Sequence, residues 1–149
     1  MATPSAKSTL LMEAYAINYL AVAVAAIGSF AFGALWYSPL LFSKRWQNEA
    51  GLSDEDVRNS NMAKIFGTTL VLTILMVIGL ALLMKSNTST EWNAVTGLRL
   101  GLHAGLLFST TSIGINYLYQ RKSPVLWAID AGYQVLFMAG SGALLGVWH

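Results

Sequence analysis

Cysteine is absent from the chain. That excludes disulfides, thiol nucleophiles, iron–sulfur clusters and thiolate zinc sites. Histidine occurs only as His103 and His149, too few for a multi-histidine metal or haem site. No phosphate-cradling glycine loop of the GxxxxGK[ST] or GxGxxG kind occurs. Charge is scarce as well. Asp, Glu, Lys and Arg make up 11% of the 149 residues, against about 25% in a soluble domain. So few charges cannot cover a water-facing surface. The formal net charge of +2 is too small to point to nucleic acid. These absences leave no constellation for an enzyme, and no metal or cofactor is expected.

What is present is apolar. Hydrophobic residues reach 55% and the mean hydropathy is +0.54, the composition of a membrane protein. A helix needs about 20 mostly apolar residues to cross a bilayer. Stretches near 15–36, 64–84, 98–119 and 125–147 meet that length. They do not alternate, so membrane strands are excluded. The expected fold is all-α: four transmembrane helices in a bundle over 15–149, preceded by an N-terminal tail over 1–14. The first apolar run continues past its small residues Ala21, Ala23 and Ala25 to Trp36, which makes it a retained span rather than a cleaved signal. Trp36, Trp46, Trp92, Trp127 and Trp148 fall at or beyond span ends, with Tyr15, Tyr19, Tyr37, Tyr117 and Tyr119. Amphipathic rings favour the headgroup level.

Charge placement gives an orientation. Lys44, Arg45, Arg58, Lys64, Arg121 and Lys122 lie in the first and third loops, whereas Lys7, Lys85 and Arg99 lie on the other side. The positive-inside rule puts the two loops in the cytoplasm and both termini outside, in a cell inner membrane.

The loop 37–63 is the one long segment outside the spans. Pro39 ends or kinks the first helix. Leu40, Leu41, Phe42 and Trp46 beside Lys44 and Arg45 suit a short segment in the headgroup zone. Gly51 closes it. Ser53 is the expected N-cap of the next helix, with Asp54, Glu55 and Asp56 in a first turn that favours acids. No proline separates Asp54 from Met84, so one helix about 46 Å long is expected, its first ten or so residues a cytoplasmic extension of the second span. Ser38-Pro39-Leu40-Leu41 is echoed by Ser123-Pro124-Val125-Leu126, through either chance or two parallel hairpins.

The stretch WYSPLLFSKRW, with Trp36, Tyr37, Pro39, Phe42 and Trp46, follows a Gly/Ala-rich first span. It resembles the bacterial membrane family called domain of unknown function 1761. The resemblance runs from about Ala14 to Trp148 and includes a final glycine-rich helix ending in tryptophan. Ser43 stands where glycine is frequent in that family. The resemblance implies four helices, and no activity or catalytic residue comes with it.

Lipid does not drive helices together, so small residues mark contact faces. Gly97, Gly101 and Gly105 recur every four residues, and Gly142 and Gly146 repeat that spacing in the last span. They serve packing within the bundle or an oligomer interface. The second span has only Gly67 and Gly79 and is expected to be the most lipid-exposed.

Asp130 is the one acid well inside a span, roughly 8 Å from its cytoplasmic end. An intramembrane acid must pair, neutralise or face water. Matching depths along straight helices puts Thr68, Thr69, Ser112 and Asn116 at its level, with Gln134 one turn along the same face. Lys122 or Arg121 can snorkel towards it. Arg99, His103 and Asn18 form a second polar group near the outer surface. His103 and Asn116 are about 220° apart on a straight helix, against a single polar path. The expected function is therefore a structural or interaction subunit, as a homo-oligomer or within a larger membrane complex. Two alternatives are a small-solute or proton-coupled transporter using Asp130, and a lipid-binding protein using the aromatic and basic cytoplasmic edge.

Overall fold

The structure is a computed structural model, and it describes residues 16–87 and 89–148. The tail 1–14, Tyr15, Thr88 and His149 lie outside the described residues. Among the described residues the chain is all helical, with no strand.

Helix α1 spans Tyr19–Trp36 and is started by Asn18, whose side chain accepts from the Ala21 N–H. Its beginning is thus set by an N-cap. A turn through Pro39 leads to α2, Ser43–Ala50, which ends at Gly51 with φ 75°. That left-handed geometry is where glycine has no steric cost. Helix α3 is short, Asp54–Asn59. Ser53 and Asp56 form its reciprocal capping box. The hydrogen bonds from Ser53 hold the Asp56 carboxyl below its ordinary pKa. That cap persists above the usual carboxylate range and is lost as pH falls through the lowered value.

Helix α4 spans Met62–Ser86. The expected single helix from Asp54 to Met84 does not form. The chain breaks at Ser60, which is extended at φ −71°, ψ 141°. Asn61 then accepts from the Lys64 N–H and starts a new helix. Residues that bond their own backbone compete with helix continuation even without proline. The expected extension of the second span is therefore a separate short helix.

The third apolar segment is built as α5, Ala94–Ala104, a π-turn, Gly105–Ser109, and α6, Thr110–Tyr119. The helical path is unbroken from Ala94 to Tyr119, about 39 Å at 1.5 Å per residue. The last helix, α7, spans Pro124–Val147, with Pro124 in its first turn and Ser123 as N-cap. Ser38 instead accepts from Leu40 within a turn. The two Ser-Pro motifs thus do different work.

Three helices, α1, α4 and α7, are long and apolar enough to cross a membrane. The expected third span divides at its π-turn into two shorter α-helical parts. Helix α7 is central: α1 packs on one side and the α5–α6 segment on another. Buried Val22, Ala25 and Ala26 of α1, Val77, Leu80 and Met84 of α4, and Phe137, Met138 and Leu145 of α7 form the core. Helix α4 is the least buried of the three long helices. Its residues 62–69 are all exposed.

The α5–α7 contact is the tightest in the molecule. A Cβ on Gly97 would strike the carbonyl of Gly142, and one on Gly101 would strike that of Met138. A Cβ on Gly105 would lie 2.8 Å from the Cα of Val135. Gly142 and Gly146 meet Gly97 and Asn93 backbone atoms in the same way. Backbone lies against backbone here, so these five glycines hold an interface inside the chain. Gly28, Gly67, Gly79 and Gly140 have nothing within 4 Å of such an added carbon.

Candidate functional site

Asp130 is held by aromatic donors. On one carboxylate oxygen, Tyr37 donates its hydroxyl at 2.8 Å and Trp46 its indole N–H at 3.0 Å. On the other, Tyr117 donates its hydroxyl at 2.6 Å. The three donors come from the end of α1, from α2 and from α6. One carboxylate therefore ties three separate elements to α7.

The surrounding wall is aromatic. Tyr133, one turn from Asp130, stacks near Phe32 with ring centroids 5.9 Å apart and near Phe137 at 6.0 Å. Its hydroxyl donates to the Ser29 carbonyl at 3.3 Å. Trp36 donates its N–H to the Ile129 carbonyl at 3.1 Å and lies 4.6 Å from the Phe42 ring. The WYSPLLF stretch thus folds back on α7 through Trp36, Tyr37 and Phe42. Pro39 and Leu40 stay exposed at the tip of the turn. Trp127 likewise donates to the Thr110 carbonyl at 3.0 Å. Trp36, Trp46 and Trp127, expected as belt rings, are ties between elements.

The residues matched to Asp130 by depth fall elsewhere. Thr69 is exposed on α4. Ser112 and Asn116 are exposed on α6, where the Asn116 amide donates to the Ser112 carbonyl at 2.9 Å. Gln134 shares α7 with Asp130, but its Oε1 is buried without a hydrogen-bond partner. Lys122 donates to the Ala50 carbonyl at 3.3 Å and does not reach the carboxylate. Among the described residues the one ion pair is Arg45–Glu49, a contact of 2.8 Å between an exposed Arg45 and a partly buried Glu49.

For the α6 residues, the reason for this change of partners is the π-turn. The Thr110 N–H bonds the Gly105 carbonyl, five residues back. Such a turn carries one residue more than an α turn. Everything after it is rotated by roughly 100° from its straight-helix position. On a straight helix Gly105, Ser109, Ser112 and Asn116 share a face. With the insertion, Gly97, Gly101 and Gly105 stay on α7, and the next residues to face it move on by one. Tyr117 arrives at Asp130 in place of Asn116. The Thr111 hydroxyl supports the turn by donating to the Leu107 carbonyl at 2.7 Å and the Phe108 carbonyl at 3.1 Å.

The same shift lowers the angle between His103 and Asn116 from about 220° to about 120°. Both side chains, and Arg99, are exposed, so none of them lines an interior path of the single chain. Asn18 is occupied as the α1 cap.

An apolar groove of about 390 Å³ lies between α1 and α7, lined by Val24, Ser29, Phe32, Phe137 and Ser141 among others. Asp130 is not part of it. At its floor the Ser29 and Ser141 hydroxyls lie 3.0 Å apart.

The family model described as "Protein of unknown function (DUF1761)" matches residues 20–146. The chain belongs to that family. No curated protein and no solved structure matches the chain. In this DUF1761 chain, the matched region includes every residue that touches the Asp130 carboxylate.

The sequence marks Tyr37 and Trp46 as belt and motif residues and Tyr117 as a belt residue, none of them as a partner of Asp130. A usable signal was there: aromatic side chains that carry donors, at the depth of a lone acid.

Proposed function

We propose that the protein is a four-span inner-membrane protein that acts as a structural or interaction subunit, as a homo-oligomer or within a larger membrane complex. The observation that carries this reading is the occupied Asp130 carboxylate. Three neutral donors from three elements surround it. A carboxylate committed to Tyr37, Trp46 and Tyr117 serves as a tie between helices, and a proton carrier would need it free. The unbroken helical path from Ala94 to Tyr119 supports a fourth crossing, since its length of about 39 Å exceeds the roughly 30 Å of a hydrocarbon core. The uncovered α4 surface and the open α1–α7 groove are the faces on which a partner would dock.

The test is the native mass of the full chain in a mild detergent, with co-purifying chains identified. A homo-oligomer or a defined partner complex is the expected result. A monomer that carries out proton-coupled uptake in reconstituted vesicles would replace this reading with transport.

The proposed orientation has its own test. The absence of cysteine makes single-cysteine labelling clean. With both termini outside, an impermeant thiol reagent applied to whole cells should label Ser89→Cys and spare Ser53→Cys. Labelling of Ser53→Cys alone would reverse the topology.

A further inference from the structure

We propose that the outward face of α5, with Arg99 and His103 at its centre, docks a transmembrane helix of another protein that carries a carboxylate in the outer half of the membrane. The proposal rests on the subunit reading above, with α5–α6 as the fourth crossing. It names a face for that subunit and the chemistry of its partner.

The glycine row fixes the face. Gly97, Gly101 and Gly105 lie against main-chain atoms of α7. Arg99 stands two residues, about 200° of helix, from Gly97 and from Gly101. His103 stands as far from Gly101 and from Gly105. Both side chains therefore point away from α7, and both are exposed. Helix α5 cannot turn them inward, because the contact that would have to rotate is backbone on backbone. Val95, Leu98, Leu106 and Leu107 are exposed around them.

Depth makes this placement costly. The segment of about 39 Å exceeds a hydrocarbon core of about 30 Å, so about 4–5 Å projects at each end when it is centred. Arg99, five residues after Ala94, then lies about 3 Å inside the outer edge, and His103 about 9 Å inside. The long arginine stem reaches the headgroups by itself. The shorter imidazole, one turn deeper, does not. Ionisable groups within a span face a bundle interior and pair there. This chain supplies no acid to either residue: among the described residues the one ion pair is Arg45–Glu49.

Charge identifies the occupant. Residues four apart on a helix are neighbours, so the Arg99 guanidinium fork and the His103 ring N–H can converge on one carboxylate. The exposed Val95, Leu98, Leu106 and Leu107 give the rest of a partner helix apolar contact. A second copy in the same orientation is a poor occupant. It would bring Arg99 against Arg99 at one depth. Glu91, the described acid on this side, precedes α5 and lies outside the core. Asp130 sits towards the other surface among its three donors. The missing partner of Arg99 and His103 is therefore a carboxylate on a different chain.

The test uses synthetic helices of known charge. The full chain, labelled with a donor dye at Ser89→Cys, is reconstituted in phosphatidylcholine vesicles. Acceptor-labelled helices of about 21 leucines and alanines are added. One carries a glutamate about six residues from its outer end, the depth between Arg99 and His103. Two others carry leucine or lysine at that position. Energy transfer should show the glutamate helix bound about tenfold more tightly than the leucine helix, the size of one strong interhelical polar contact. The lysine helix should not bind above the leucine level. His103→Leu should weaken the glutamate helix severalfold, and Arg99→Glu should reverse the preference to the lysine helix. If Arg99→Glu fails to insert, Arg99→Gln should bring the glutamate helix down to the leucine level.

Equal binding of the glutamate and leucine helices would overturn the proposal, as would glutamate-helix binding that survives both Arg99 variants. Loss of the signal when phosphatidylglycerol replaces part of the lipid would assign the face to anionic headgroups and overturn it too. The native mass of the same chain in mild detergent separates this failure from that of the subunit reading. A defined oligomer or complex without glutamate-helix selection keeps the subunit and removes this face. A monomer without that selection removes both.

Discussion

Gly101→Leu is expected to separate the α5–α6 segment from α7 and to destabilise the fold by roughly 3 kcal/mol or more, the upper end for an overpacked contact. The direction follows from what surrounds this glycine. The carbon added at Gly101 meets the Met138 carbonyl oxygen, the Met138 carbonyl carbon at 2.6 Å and the Ala139 Cα at 3.0 Å. These are main-chain atoms of a helix, so no side chain can swing aside. Either α7 shifts or the two helices part. Insertion should survive, because leucine favours the membrane. Gly140→Leu is the control. It introduces the same side chain into α7 where nothing lies within 4 Å, and stability should stay within about 0.5 kcal/mol, as for substitutions away from packed features. Detergent unfolding of the two variants beside the parent decides the matter. Equal stability of Gly101→Leu and Gly140→Leu would show that the glycine row bears no tight contact.

Asp130→Leu carries the second large effect. It leaves the Tyr37 and Tyr117 hydroxyls and the Trp46 indole N–H without their acceptor. Each donor left buried and unpaired costs about 1–3 kcal/mol, less where it is partly exposed and finds water. The loss should be seen in the loop as well as in the bundle. Trp46 is the tie between α2 and Asp130, and a protease should cut near α2 faster in the variant.

Asp130→Asn should be much milder. Its remaining oxygen can still accept from Tyr37 and Trp46. Its amide takes the place of the oxygen that Tyr117 now donates to. A hydroxyl both donates and accepts, so the Tyr117 bond can reverse direction. The amide lacks the charge that strengthens these bonds, and a loss of about 1 kcal/mol is expected. The ranking is the diagnostic: parent, then Asn, then Leu well below. An Asn variant as unstable as the Leu variant would mean that the charge itself is essential. An Asn variant that assembles normally but abolishes a proton-coupled flux would favour transport.

The two Asp130 variants also separate the aromatic cage from the belt. Rings placed only at the headgroup level gain from the interface whether or not Asp130 is present. Rings that also donate to its carboxylate lose a partner when it goes. Trp92, whose N–H goes to the Met84 carbonyl at 3.1 Å, is unaffected by either change and serves as the internal reference in tryptophan spectroscopy.

Composition and spacing alone determined a good deal about this protein. With 11% charged residues the chain has too little charge to cover a water-facing surface, which points to a membrane. Apolar runs of span length had to be helical there, because lipid offers backbone groups no other partner. Pro39, Gly51 and Ser53 marked local ends, since each acts through its own backbone geometry or side chain. The rows Gly97–Gly101–Gly105 and Gly142–Gly146 pointed to a close contact, because only small residues let helices meet. Asp130 stood out as the single deep acid.

What tertiary structure decided was the pairing. Depth matching assumed straight helices, and one extra residue between Gly105 and Ser109 exchanged Asn116 for Tyr117. No proline or charge marks that turn. It forms where the backbone contact of α5 with α7 and the Tyr117–Asp130 bond demand different phases of one helix. The break at Ser60–Asn61 is similar in kind. No proline interrupts the sequence there, but a local cap competed successfully with another turn of solvated helix. Tyr37 and Trp46 reached Asp130 because the turn at Pro39 folds α2 back over the end of α7, a long-range arrangement that periodicity along one segment does not contain.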